Sequence, residues 1–428
     1  MNRPLALALA GALALAAAAV RHVWFWGGSL AWLANLGEGL ALVLFAVLGG
    51  LGCLRAATLP TAAVWTGGIV LTLIATATPP FLSNDVFDYV LHGRVESVHG
   101  ANPYVYAPRA FSDDPFFAYC QWPDWVTPYG PIWVALQTVL TGLGEASVWA
   151  SVYLLKLSMA GCHLLTAWLL ARVARAQLAL WLWNPFLLLE VAGSAHNEAL
   201  LALFLMLMAV ALAQDRIALA TLAFGCAVLT KHGCAPLGPL LLAWCIRQRR
   251  LAGFAAGLVA TGVLTFLCAL HYFREPAALA FLGRQLGNRG ASVQGVLVHW
   301  LGDAAAAPVA WLGQALAGVV TLCCAWRVRD LQGLARHGAL VSLTFLLVAM
   351  PLFSPWYHLW WLPLVALAPG RMGSALRWLC VLGPLSYLAY ASRRSLGLDH
   401  QILQWSLGLV VPLVVVCRTA CASERVSN

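Results

Sequence analysis

Apolar residues form long runs along the whole chain, and short polar turns separate them. Runs such as Ser29–Leu51, Val148–Ala171 and Leu251–Tyr272 each hold about twenty residues, the length at which an α-helix crosses the hydrocarbon layer. The alternating segments of about ten residues that are typical of a membrane β-barrel are not found. The pattern predicts an all-α, polytopic transmembrane helical bundle of about 12–14 spans, with residues 1–428 forming a single integral-membrane domain.

Two polar segments interrupt the apolar pattern. The longer one covers residues 80–128 and the second covers residues 273–307. Arginines cluster between other runs, most densely at Arg247–Arg250 and next at Arg327–Arg336, and such clusters mark cytoplasmic turns. Counting spans from these anchors places both polar segments on the extracytoplasmic side, where we expect them to carry short interfacial helices.

Composition narrows the class of protein further. Hydrophobic residues make up 62% of the chain and charged residues 10%, far from the roughly 25% charged residues of soluble domains. The net charge of +9 comes almost entirely from arginines spread thinly between apolar runs, so it indicates membrane topology and not nucleic-acid binding. The 12 cysteines lie mostly in apolar runs without metal-ligand spacing, and no nucleotide-binding motif is present. We therefore expect neither a metal nor a cofactor.

The first polar segment opens with a possible general base. Asp85, Tyr89 and His92 are spaced four and three apart, which places them on one face of a helix that starts near Asn84. A carboxylate at a helix N-terminus tends to stay ionised, as a general base requires. The alternative is that Asn84 or Asp85 only caps the helix, and the local sequence taken alone favours the cap.

Two further segments combine polar and aromatic residues. Trp125–Pro131 is a rigid turn whose aromatic rings either anchor the chain at the membrane surface or stack on a sugar. Glu190 lies within an apolar run and precedes the turn His196–Glu198. Ionisable groups inside a membrane are costly and indicate function, although His196 and Glu190 would also satisfy one another.

Several cationic positions fall on the same expected side of the membrane. Lys231 and His232 end one apolar run, Arg284 and Arg289 lie in the second polar segment, and His358 follows a Ser-Pro-Trp-Tyr sequence. Each position taken alone is typical of a side chain that reaches the lipid headgroups. Together they predict a site for a phosphate, whose developing charge needs donors already in place.

The polar motifs also occur in a definite order, and this order resembles a known family. In chain order they are Asp85–Tyr89, Gly100–Tyr104, Thr127–Pro131, Asn184–Pro185, His196–Glu198 and Ser354–Tyr357. The set resembles the GT-C superfamily of glycosyltransferases, and most of all the bacterial polyprenol-phosphate-mannose-dependent α-mannosyltransferases and glycosyltransferase family 87. The resemblance covers about residues 80–357.

This resemblance implies an inverting transfer of a hexose, with mannose favoured, at the outer face of the bacterial inner membrane. The donor would be a polyprenyl-phosphate sugar, and the acceptor a hydroxyl of a glycan, glycolipid or lipid. Asp85 would be the catalytic base, without a metal or cofactor. The expected substrate-binding residues are Asp88, Tyr89, His92, Asn102, Tyr104, Tyr129, His196, Asn197, Glu198, Lys231, His232, Arg284, Arg289, Trp356, Tyr357 and His358.

The sequence departs from the family pattern at two positions. Glu198 stands where the family is expected to have Asp, which leaves its role open. Asp88 is an additional acid that competes with Asp85 as the base or orients the acceptor.

Two other classes of function remain open at this point. A transporter or flippase of lipid-linked sugars would use charges inside the membrane, for which Glu38, Lys156 and Glu190 are the candidates, but no internal repeat is visible. A lipid-binding scaffold without catalysis would not need Asp85 or Lys231.

Overall fold

The computed structural model describes residues 3–24, 31–80, 82–280, 292–368 and 374–387. Within these ranges the chain is helical and contains no strand, which confirms the all-α prediction. The predicted phosphate ligands Arg284 and Arg289 lie outside the described residues.

The first half of the chain holds the first ten of the described helices. They are α1 (Arg3–Trp24), α2 (Ala31–Leu44), α3 (Gly50–Ala56), α4 (Thr61–Ala77), α5 (Asp85–Ser97), α6 (Pro131–Gly144), α7 (Val148–Val173), α8 (Leu178–Leu182), α9 (Pro185–Leu187) and α10 (Glu198–Ala213). A π-helical segment, Phe45–Gly49, joins α2 to α3, and a second one, Leu188–Gly193, extends α9.

The helices of the second half follow in the same manner. They are α11 (Ile217–Thr230), α12 (Gly238–Arg247), α13 (Leu251–Tyr272), α14 (Val293–Leu301), α15 (Ala306–Arg327), α16 (Leu331–Thr344), α17 (Leu362–Leu367) and α18 (Ser374–Leu385). Two 3-10 segments, His232–Leu237 and Pro355–Trp360, precede α12 and α17.

In the described part of the chain, 6 helical segments are long and apolar enough to cross a membrane. A further span is formed if α9 with its π-helical extension is counted together with α10, a pair that is bent by 115°. The 12 to 14 predicted spans exceed this number because several apolar runs form helices of only 10–17 residues, among them α4, α6 and α11. Such helices are shorter than a perpendicular crossing requires.

Close packing of α4 against the α8 region shows how small residues build the bundle. The indole nitrogen of Trp183 donates a hydrogen bond to the Val64 carbonyl at 2.8 Å. A Cβ atom added at Gly67 would lie 2.2 Å from Cζ2 of the Trp183 ring, so only glycine permits this approach. Glycine at helix contacts is typical of membrane bundles, where backbone proximity replaces the hydrophobic effect as the source of attraction.

Helices α4 and α7 run antiparallel, and this fixes which end of the bundle carries the polar loop. At one end Arg175 donates a hydrogen bond to the Thr61 hydroxyl at 2.7 Å. At the other end the Tyr153 hydroxyl donates to the Ala77 carbonyl at 3.1 Å. The loop that leaves α4 therefore starts at the end opposite Arg175.

Helix α11, like α4, has an arginine beside its first residue and leads into the candidate polar residues at its other end. Arg250 forms an ion pair with Asp215 at 2.6 Å beside the start of α11, whereas Lys231 directly follows its end. Arg247 also donates a hydrogen bond to the Ala325 carbonyl at 2.8 Å, so the two densest arginine clusters lie next to each other.

The Gly67–Trp183 contact makes a stability prediction. We expect Gly67→Ala to lower the thermal unfolding midpoint of the purified protein, because the added methyl group overpacks the helix contact at a cost of about 1–3 kcal/mol. The matched control is Gly161→Ala on α7, where an added Cβ meets no atom within 4 Å. Equal midpoints for the two variants would contradict this account of the packing.

Candidate active site

The candidate site lies where the first turn of α5 meets the turn before α10. The Oδ2 atom of Asp85 lies 4.0 Å from Nδ1 of His196. The His196 ring is stacked on the ring of Trp356, with centroids 4.0 Å apart and an interplanar angle of 16°. These contacts bring together three segments that are remote in sequence: the long polar loop, the 194–197 turn and the 3-10 segment at Pro355.

Asp85 begins helix α5, as the sequence predicts. Asn84 precedes the helix but forms no side-chain capping hydrogen bond, and the Asp85 amide donates to the Ser83 hydroxyl at 3.4 Å. The capping role suggested for Asn84 is therefore wrong. The Asp85 side chain remains 20% exposed, which leaves its carboxylate accessible to a substrate.

The turn before α10 is buried and brings polar groups into the bundle. Its backbone is held by hydrogen bonds from the amides of Ala195 and His196 to the carbonyls of Val191 and Glu190, both at 3.1 Å. Ala195 adopts a φ of 58°, a left-handed conformation that reverses the chain direction between α9 and α10. This local geometry places the side chains of the 196–198 motif next to Asp85.

Glu190 lies beside His196 and is itself bound by Tyr387. Oε2 of Glu190 lies 3.3 Å from Nε2 of His196 and accepts a hydrogen bond from the Tyr387 hydroxyl at 2.9 Å. The contact between His196 and Glu190 was one of the alternatives predicted from the sequence. Tyr387 was missed, since it is 197 positions away from Glu190 and stands in no motif.

Lys231 supplies the positive charge of the site. Its ammonium group forms a buried ion pair with Glu198 and lies 3.5 Å from Oδ1 of Asn197. The same nitrogen lies 5.2 Å from the ring centroid of Tyr129 and 4.7 Å from that of Tyr357, where cation–π attraction adds to the ion pair. The predicted cation is thus held in place by a carboxylate and by aromatic rings.

The surroundings of Asp85 change its acidity. The pKa of the Asp85 carboxyl is raised to about 7, first by burial and then by the nearby carboxylates of Asp88 and Glu198, against the opposite effect of Lys231 and Ser83. The helix N-terminus suggested a carboxylate that tends to stay ionised, whereas burial and two neighbouring acids raise the pKa of Asp85. A carboxylate with a pKa near 7 is well matched to a general base at neutral pH.

Many polar atoms of this site have no hydrogen-bonding partner among the described residues. They are Nδ1 of His196, Nδ2 of Asn197, Oε1 of Glu190 and Oε2 of Glu198. Buried polar atoms are nearly always satisfied by protein, water or ligand. Donors and acceptors grouped in this way suit a ligand that is rich in hydroxyl groups.

Comparison with known proteins identifies the family of the chain. Residues 5–248, more than half of the chain, match the family model described as alpha-(1→6)-mannopyranosyltransferase, N-terminal domain. The chain belongs to this alpha-(1→6)-mannopyranosyltransferase family.

Two curated relatives carry the name of the family. The alpha-(1→6)-mannopyranosyltransferase A of Mycobacterium tuberculosis is 26% identical over 348 residues, which cover 72% of this chain and 64% of the relative. The protein of the same name from Corynebacterium glutamicum is 29% identical over 143 residues, which cover 31% of this chain and 28% of the relative. The chain therefore spans less than two thirds of the length of these relatives.

Asp88 and His92 are part of the scaffold of the long polar loop in this family member. Oδ1 of Asp88 accepts hydrogen bonds from the backbone amides of Gln121 at 2.9 Å and Trp122 at 3.1 Å. The ring nitrogens of His92 lie 2.9 Å from the carbonyl of Asp88 and 3.0 Å from that of Trp125. Both side chains therefore fold the loop back on α5, although the spacing of His92 had suggested a place beside Asp85.

Asn102 and Tyr104 also hold backbone groups. Asn102 donates a hydrogen bond to the Tyr272 carbonyl at 2.6 Å, and its own oxygen accepts one from the Tyr104 amide at 3.0 Å. The Tyr104 hydroxyl donates to the Tyr129 carbonyl at 2.8 Å. Tyr89 packs its ring edge-on against Tyr129, with centroids 5.4 Å apart. These residues set the position of Tyr129, which contacts Lys231.

Two of the remaining predicted cations, His358 and His232, lie among the described residues. His358 is buried, and its Nδ1 accepts a hydrogen bond from the Trp361 indole at 3.2 Å, so its ring is bound within the core. His232 is exposed at the start of the 3-10 segment that follows Lys231. Among the described residues no group of His, Cys, Asp and Glu is arranged to hold a metal ion.

The charges around Asp85 make a titration prediction. Glu198→Gln removes a carboxylate that raises the pKa of Asp85, so we expect this pKa to fall. Lys231→Met removes a cation that lowers it, so we expect it to rise. The measurement is pH-dependent difference infrared spectroscopy of the protonated carboxyl band, assigned by its loss in Asp85→Asn. Shifts of the same sign in both variants would contradict the described electrostatics.

Proposed function

We propose that this chain transfers a mannosyl group from a polyprenyl-phosphate-linked donor to an acceptor hydroxyl at the outer face of the bacterial membrane. The observation that carries the proposal is Asp85, an accessible carboxylate with a pKa of about 7 beside a cluster of unpartnered polar atoms. Membership of the alpha-(1→6)-mannopyranosyltransferase family supports mannose as the sugar and a 6-hydroxyl as the acceptor.

The chemistry is a single displacement. The acceptor hydroxyl gives its proton to Asp85 while its oxygen attacks the anomeric carbon, and the bond from that carbon to the phosphate oxygen breaks. The configuration inverts, so an α-linked product requires a β-linked donor. Asp85 is favoured as the base because the other two acids of the site have partners in the protein. Glu198 is paired with Lys231, and Glu190 accepts a hydrogen bond from Tyr387. Asp85 alone among these three is partly exposed.

An apolar groove beside the site suits a lipid-linked donor. The groove lies between α1, α4 and the π-helical segment Leu188–Gly193, with Leu15, Leu71 and Leu188 in its wall. It extends to Leu82 and Ser194, which shortly precede Asp85 and His196 in the chain. A prenyl chain in this groove would bring its phosphate to the polar cluster, which explains why a nucleotide-sugar motif is not needed.

Lys231 is the cation of the proposed donor site within the described residues. An ammonium held beside Asn197 and two aromatic rings is already in place to meet charge that develops on the leaving phosphate. Arg284 and Arg289 stay predictions for the same role, because they lie outside the described residues.

The proposed outward orientation follows from the ends of the helices. Arg175 and Arg250 lie at the ends of α7 and α11 that are opposite to the site. Arginines close to span ends favour the cytoplasm, so the end that carries Asp85 would face outward.

The fixed contacts of the intramembrane charges favour an enzyme over a transporter or flippase. Lys156 donates to main-chain carbonyls, and Glu190 accepts from Tyr387, so both groups are bound within the protein. A reconstituted protein separates the alternatives: a new glycosidic bond supports transfer, whereas donor movement between leaflets without one supports transport.

Replacing the proposed base, Asp85, should strongly slow the transfer reaction. We expect Asp85→Asn to lower kcat about 100- to 10,000-fold, because an amide cannot accept the acceptor's proton. The assay uses purified protein in nanodiscs, polyprenyl phosphomannose as donor and a short α-mannoside as acceptor.

The matched control is Asp88→Asn, one helical turn further on. Its amide oxygen can still accept the bonds from Gln121 and Trp122, so we expect transfer to be retained. Full activity of Asp85→Asn would refute the mechanism, and loss only in Asp88→Asn would move the base to Asp88.

A further inference from the structure

Lys156 is a buried cation that the proposed chemistry does not use. It lies in the first half of the 26-residue helix α7, and its side chain is fully buried. No ion pair joins Lys156 to an acid in the described part of the chain. A lysine without a counter-charge in a membrane bundle is costly, so its hydrogen bonds must provide the compensation.

All the hydrogen bonds of Lys156 go to main-chain carbonyls. Its ammonium nitrogen donates to the carbonyls of Thr78 at 2.7 Å, Ala75 at 3.3 Å and Gly193. An ammonium group has three N–H donors, and three acceptors are present. Ala75 lies in the last turn of α4, Thr78 is its C-cap residue, and Gly193 is the last residue of the segment Leu188–Gly193.

These carbonyls lie at helix C-termini, where the last carbonyls lack partners within their own helix and carry partial negative charge. One cation therefore completes two helix ends at once. An apolar side chain at the same place would leave buried carbonyls unsatisfied at both ends. The contact consequently joins α4 to the π-helical segment more firmly than apolar packing would.

Each of the two helix ends leads directly into the site. The chain leaves α4 at Thr78 and reaches Asp85 through Pro79 and Pro80, whose fixed φ angles stiffen the connection. The chain leaves the π-helical segment at Gly193 and reaches His196 within the same turn. Lys156 thus links the two helix ends that lead to Asp85 and to His196. The Oδ2 atom of Asp85 and Nδ1 of His196 lie 4.0 Å apart.

We propose that Lys156 is a positioning residue, which sets the distance between Asp85 and the His196 turn by binding the carbonyls of Thr78 and Gly193. The inference rests on the proposed role of Asp85. It assigns to Lys156 no contact with substrate. Its effect on the rate comes from the geometry of the site, where a displacement of about 1 Å can cost about 100-fold.

The test compares Lys156→Met with a matched variant of the same helix. Thr166→Val also removes a buried hydrogen bond from α7, but that bond goes to the Cys162 carbonyl of the same helix. We expect Lys156→Met to lower kcat about 100-fold and Thr166→Val to leave it within about threefold. If the methionine variant does not fold, Lys156→Gln, which keeps an N–H donor, is scored in the same assay.

A double-mutant cycle with His196→Ala separates positioning from a general loss of structure. If Lys156 acts by placing the His196 turn, its loss should cost much less when His196 is already absent, so the double variant should be close to the slower single variant. Multiplied losses in the double variant, or full kcat in Lys156→Met, would overturn the inference. Asp85→Asn is measured alongside: its full activity would defeat the proposed function, whereas an inactive Asp85→Asn with fully active Lys156→Met would defeat only the role of Lys156.

Discussion

The site depends on one sharp break in the helical bundle. The segment that begins at Pro185 and helix α10 meet at an angle of 115°, and the turn between them lies inside the protein. A straight helix would have satisfied its own backbone and left no polar turn within the bundle. Because the chain reverses here, His196, Asn197 and Glu198 reach the interior next to Asp85. Irregular backbone at such a depth is tolerated only where protein or a polar cavity surrounds it.

Bringing these groups together produces a crowded set of charges. Asp85, Glu190 and Glu198 lie close enough to influence one another, and Lys231 is the cation beside them. Like charges in a buried place cannot all remain ionised. Glu198 is paired with Lys231 and Glu190 is bound by Tyr387, while burial and the neighbouring carboxylates raise the pKa of the partly exposed Asp85. The same crowding that disfavours ionisation thus gives Asp85 a pKa that suits the general base we propose.

Local patterns in the sequence predicted local structure well. Helix α13 has the predicted bounds, Leu251–Tyr272, and α5 begins at Asp85, next to the predicted start near Asn84. Contacts across long separations were not predictable, since residue spacing says nothing about them. Lys231 and Glu198 are 33 positions apart, and Tyr387 and Glu190 are 197 positions apart. For the same reason the spacing of His92 pointed to the site, while its actual partner is the Trp125 carbonyl. The pKa of Asp85 also depends on neighbours that only the folded chain supplies.

The central claim is that sugar chemistry takes place between Asp85 and the His196 turn, with the lipid of the donor in the apolar groove. The most direct measurement is a cryo-electron microscopy structure of the Asp85→Asn variant in nanodiscs with polyprenyl phosphomannose. The account predicts the mannose ring between residue 85 and Trp356, its phosphate near Lys231, and the prenyl chain along α1 and α4. A sugar bound elsewhere, or a prenyl chain that leaves the groove between Leu15 and Leu71 empty, would contradict it.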